Sequence, residues 1–211
     1  MELDELNRML AWLDLRNDAV FNKIPPVKYR YYLENALAAG VTAAQEFAGQ
    51  SIRDLYLQHS IDIQYDKGDG LFFTVQFRAQ FEFSVKKNIR RVTLYQPSLE
   101  SLQRSCGLPL DKIIDIHLAH EFFHFLEYSR QKPVGETLDK VCNVAIGPLR
   151  CYSTVAATSE IAAHRFCQLL NNLDYYPSYY DFLWLVESGK QTAQERDELF
   201  TSSLHEVQQG A

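Results

Sequence analysis

Basic charge is the scarcer kind in this sequence: 21 Lys and Arg stand against 27 Asp and Glu, for a formal charge of −6. That balance argues against general affinity for nucleic acid or an anionic membrane, and neither is expected as a partner. The one basic cluster, Lys86, Lys87, Arg90 and Arg91 around Asn88, reads as the solvated tip between two strands. No apolar run is long enough to cross a bilayer. The acidic start, Met-Glu-Leu-Asp-Glu-Leu, has neither the basic residues nor the apolar stretch of a secretory signal. Cysteine is sparse too: Cys106, Cys142, Cys151 and Cys167 form no C-x-x-C pair, which excludes a dense disulfide framework. Reduced thiols and a cytoplasmic location are the expectation. Internal repeats and low-complexity linkers are also absent.

What is present is an ordinary globular balance, with 46% hydrophobic and 23% charged residues in 211, so one domain is expected. Leu3, Leu6, Leu10 and Leu13 recur at helical spacing and predict a short amphipathic helix. Asn17, Asp18 and Pro25-Pro26 break it and leave an extended connection. A second helix is expected over about 28 to 48, and a third from a Ser51 cap to about His59. From Ile61 the period changes to alternation. Strands are expected over 61 to 65, through Leu71 to Val85, and over 91 to 95. Pro97-Ser98 starts a helix that Gly107 stops. Leu110 to Arg130 is apolar over much of its circumference and reads as a central buried helix. A connection containing Pro133, Gly135, Gly147 and Pro148 leads to a helix over about 154 to 170, and two further helices follow, over about 179 to 188 and 191 to 208. The class is α+β, with a small, mainly antiparallel sheet and extra helices at both ends.

The long central helix carries Ala119-His120-Glu121-Phe122-Phe123-His124-Phe125. Four residues at a rise of ~1.5 Å and a turn of ~100° each put both imidazoles on one face, where they can share one ion. Neutral imidazole suits Zn²⁺, and Glu121, one position after the first ligand, stands beside the metal as a general base for water. Three of the six histidines fall within eight residues (117, 120 and 124) amid uncharged flanks, which an accidental pattern does not predict. An extended motif ending in a further histidine is absent, since Glu127 and Arg130 occupy its Gly and His positions. Among later carboxylates Glu160 is the leading third ligand. It sits on a second helix whose Ala156, Ala157, Ala162 and Ala163 allow close approach, although a solvated helix carboxylate is the plain alternative.

These residues resemble the gluzincin zincins, and among them the ImmA/IrrE-type metallopeptidases and minigluzincins. The likeness covers about residues 55 to 172: the Arg91-Val92-Thr93-Leu94-Tyr95 strand, the His120 to His124 motif and the helix from Glu160 to Phe166. It implies a zincin-like fold for this core; the helices expected over 1–50 and the helical tail over 173–211 come from the sequence pattern and carry no family mark. The likeness further implies Zn²⁺ on His120, His124 and Glu160, hydrolysis of a peptide or protein substrate, and strand-wise pairing of that substrate with the 71 to 95 region. Relatives of this type often act on transcriptional repressors, which suggests that substrate class here. One departure is clear: the Asp that often follows the ligand Glu by four residues is His164, so another carboxylate or a carbonyl must orient the zinc histidines.

Secondary candidates carry two readings each. His164 is a catalytic donor or a buried, hydrogen-bonded histidine, and His117 is packed behind the ligands or is itself a ligand. Tyr152 and Tyr128 are phenolic donors to the reacting carbonyl or chance placements among twelve tyrosines. Cys151 is packing or a blocking ligand, and Tyr175 to Tyr180 is a pocket wall or core. A rival to the peptidase is a regulatory module that holds a metal and binds a protein partner without cutting it.

Overall fold

The computed structural model describes residues 3–146 and 149–209; Gly147 and Pro148 of the expected connection lie outside them. Helix α1 spans Leu3–Arg16, with Asp4 and Glu5 in its first turn and Arg16 in its last, an order that complements the helix dipole. Leu6, Leu10 and Leu13 of its leucine stripe are buried while Leu3 is exposed, and Met9, Ala11 and Trp12 are buried too, because the helix packs against both α7 (Ala157–Leu170) and α9 (Ala193–Gln208). The connection after α1 is not extended: two 3-10 turns, Phe21–Lys23 and Pro26–Lys28, fold it back. Asp18 anchors this segment by accepting from the backbone N–H of Val20 at 2.8 Å and of Ala157 at 2.7 Å.

Helix α2 (Tyr29–Glu46) crosses α7 at Gly40. Helix α3 (Ile52–Gln58) follows, with Ser51 at its N-cap position but making no side-chain capping bond. Strand β1 (Asp62–Asp66) runs parallel to β5 (Ile89–Tyr95), and β5 pairs antiparallel with β4 (Ala79–Ser84), in the order β1-β5-β4. This principal sheet is therefore mixed rather than mainly antiparallel. The apolar run from Leu71 is not one strand: β2 (Leu71–Phe72) and β3 (Val75–Gln76) form a hairpin. Gly70 and Phe73 turn the chain there with φ of +72° and +56°, conformations an extended strand cannot contain. Lys86, Lys87 and Asn88 form the exposed β4–β5 turn, Asn88 at φ +51°.

Helix α4 (Gln96–Cys106) ends at Gly107, whose φ of +68° gives the left-handed stop. Helix α5 (Leu110–Ser129) lies against β4 and β5, burying Ile113, Leu118, Ala119 and Phe122. A short helix α6 (Val134–Thr137) and the hairpin of β6 (Val141–Ile146) and β7 (Leu149–Ser153) fill the stretch read as a connection. Helix α8 (Ser178–Glu187) packs on α4, and α9 opens with a Thr192–Glu195 capping box. The α+β class thus holds, and among the described residues no helix is long and apolar enough to cross a membrane.

The α2–α7 crossing fixes where α7 stands. A Cβ on Gly40 would lie 2.5 Å from the Ala162 carbonyl oxygen and 2.8 Å from Cβ of Arg165, so the helices touch backbone to backbone. Gly40→Ala should cost about 1–3 kcal/mol through overpacking, read as a lowered urea midpoint at unchanged m-value. A midpoint at or above that of the wild type would show that α7 can move away without loss.

Candidate metal centre

Ala119, Phe122 and Phe123 turn inward from α5 and are buried, which leaves the opposite face, with His120 and His124, on a cleft of about 620 Å³. Helix α7 presents Glu160 from its first turn while Ile161, Ala162 and Ala163 face the core. The three side chains converge. Nε2 of His120 lies 3.1 Å from Nε2 of His124 and 3.2 Å from one Glu160 oxygen, and the other oxygen is 3.4 Å from Nε2 of His124. A tetrahedral ion with bonds of ~2.0 Å has donor-to-donor edges of ~3.3 Å. The His120–His124 edge and each histidine's edge to its own Glu160 oxygen match this. Taking one donor atom per residue, all three lie within 4.8 Å of one another, and the two-imidazole, one-carboxylate donor set suits zinc.

The chemistry of His124 makes the same point. Its Nδ1 donates to Oε2 of Glu127 at 3.0 Å, which in the neutral ring leaves a lone pair on Nε2 facing the Glu160 carboxylate. Two acceptors facing each other need a cation between them. Burial disfavours charge on the imidazole, but its hydrogen bonds to Glu127 and Glu160 outweigh that and hold His124 up at about 10. Burial opposes charge on Glu160 as well, and bonds from His120 and His124 override it, driving the carboxyl far below its usual range. Without metal a proton serves as that cation; a divalent ion would displace it.

Glu127 was legible in the sequence only as a missing glycine. It is the carboxylate that orients His124 here. Buried at 6% exposure, it accepts from the Val134 N–H at 2.7 Å and the Ser159 hydroxyl at 2.8 Å through Oε1 while Oε2 holds His124. Its position three residues after His124 on the same helix face was the available signal.

No family model, curated protein or solved structure matches this chain. The site's chemistry rests on its own atoms.

Glu121 lines the cleft but stands outside the three-donor group. Burial raises its pKa, an effect the neighbouring His120 and His124 partly offset. His164 also lines the cleft, its ring centroid 4.9 Å from that of His120. Nδ1 of His164 pairs with Asp14 of α1 at 2.9 Å, and although burial disfavours its charge, Asp14 raises its pKa. It is not among the three donors. His117 is held neutral, lowered to about 4 chiefly by burial and then by Arg78, with Nδ1 donating to the Ile113 carbonyl at 2.8 Å. Tyr128 reaches the cleft wall. Tyr152 is not among the cleft-lining residues: it stands 57% exposed on β7, in a hairpin where a linker was expected. Cys151 shares that exposed strand.

Because Glu127 fixes the ring of His124, Glu127→Gln should weaken zinc binding about 10- to 100-fold in competition with a chromophoric chelator. Unchanged affinity would mean that His124 needs no such support.

Proposed function

We propose that this chain is a zinc-dependent peptidase with a zincin-like core. The observation that carries this reading is the convergence of one donor atom each from His120, His124 and Glu160 within 4.8 Å of one another, in a cleft that Glu121 also lines. A bound zinc ion would supply Lewis acidity, polarising a carbonyl and making water a stronger acid. Glu121 is the general base. Burial raises its proton affinity, which makes its carboxylate a stronger acceptor for a proton from water and a donor of that proton to the leaving amine. Glu127 keeps His124 in the Nδ1–H form with Nε2 turned to the cleft. His164, outside the donor group, keeps Nε2 for contact with substrate while Asp14 occupies Nδ1.

A polypeptide substrate is favoured by the sheet. Strand β4 pairs only with β5 among the described residues, so its outer edge offers backbone donors and acceptors to an extended chain. Ala79, Gln80 and Phe81 of that strand line the cleft opposite His120 and Glu121. An edge strand beside a metal group suits hydrolysis of a backbone amide better than hydrolysis of a small ester or phosphate.

The test is metal content and proteolysis of a mixed protein pool, for the wild type and Glu121→Gln, both purified without chelator. About one zinc per chain is expected in both, with cleavage by the wild type and a loss of at least ~100-fold in the variant. Zinc in both with cleavage in neither would favour the regulatory module. Absence of zinc from both would overturn the metal centre itself.

A further inference from the structure

We propose that Phe81 and Tyr128 form the specificity subsite of the cleft, and that it takes a large apolar or aromatic side chain of an extended peptide. This deepens the peptidase reading and rests on it. Tyr128 follows His124 by four residues, so it stands one helical turn, ~6 Å, farther along α5. It is an aromatic residue left 57% exposed, and its ring stacks on Phe81 with centroids 6.4 Å apart and a 27° tilt. Phe81 belongs to the free edge strand and is seated from behind by Phe125 and Phe83, at centroid distances of 6.2 and 6.0 Å. One ring thus comes from the metal-bearing helix and the other from the strand that a peptide would pair with.

The spacing names the position that is read. An extended peptide advances ~3.3 Å per residue, so a side chain over Tyr128 belongs to a residue one or two removed from the bond under attack. The chemistry at this end is apolar. The charged pair of the cleft, Arg78 with Asp181, lies at the other end, where Arg78 acts on His117, one turn before His120. A Phe, Tyr, Leu or Met side chain would cover the exposed faces of both rings and remove them from water, whereas Ser or Gly would leave them wet.

Cleavage-site profiling of the zinc-loaded full chain on a peptide library tests this. Large apolar residues should be enriched at one fixed position, one or two residues from the cut. Tyr128→Ala should lower kcat/KM on a Phe peptide roughly 10- to 100-fold while changing its Ser counterpart less than about threefold. Tyr128→Phe, which keeps the ring, should restore the preference. Equal losses on both peptides would overturn the subsite, and so would a Tyr128→Phe variant as poor as Tyr128→Ala, which would assign the work to the hydroxyl. Fluorescence anisotropy of the same labelled peptides on Glu121→Gln, with and without Tyr128→Ala, separates binding from turnover. Tyr128-dependent preference for the Phe peptide without any cleavage by the wild type overturns the peptidase reading alone. Cleavage without Tyr128-dependent preference overturns the subsite alone, and neither binding nor cleavage overturns both.

Discussion

Glu160 meets the two histidines because α7 can lie close against its neighbours. Gly40 lets α2 approach within touching distance of the Ala162 carbonyl, and Ala162, Ala163 and Ala119 are buried without bulk to hold the helices apart. A longer side chain at these positions would press the helices apart and shift α7, whose first turn carries Glu160. The convergence of donors is thus a packing result before it is an electrostatic one. Phe122 and Phe166, fully buried and stacked at 6.2 Å, fill the remaining volume between α5 and α7.

A second constraint follows from charge. Two imidazoles facing one carboxylate form a group that is comfortable only with a cation at its centre, and Glu127 adds a second buried carboxylate behind it. Buried carboxylates persist when every oxygen is paired. Glu127 meets that condition with three partners drawn from α5, α6 and α7, so it ties the ligand helix to the motif helix through the same atoms that orient His124. Support for the fold and support for the donor geometry are one interaction here.

How much of this could be read in advance depends on distance along the chain. His120, Glu121 and His124 fall within five contiguous residues with a rigid helical meaning, and α5 appears within a residue of its expected span. Glu160 was reachable because helical phase and small neighbours are local patterns. The hairpin that carries Tyr152 went unread for a related reason: Pro133, Gly135, Gly147 and Pro148 dominate the 133 to 148 stretch and hide its alternation. The break between β2 and β3 was hidden by the opposite effect, a Phe- and Val-rich run whose turn depends on the positive φ of Phe73, a residue type that announces no turn. Glu127 was visible but judged against a motif it does not follow.

The ends of the chain carried no recognisable mark, yet they complete the cleft. Asp14 of α1 holds His164 across a separation of 150 residues, and α8 supplies Asp181 to Arg78 of the strand region. No local pattern encodes such pairings; they exist only once α1 is clamped between α7 and α9, and α8 is laid on α4. Both terminal contributions are carboxylates, and both meet a cationic or protonatable group at the cleft wall. They leave the three-donor group as the place where a cation is still wanted. A motif helix and a ligand helix alone would present the donors, but the terminal helices compensate the charges around them and so direct a cation to that one position.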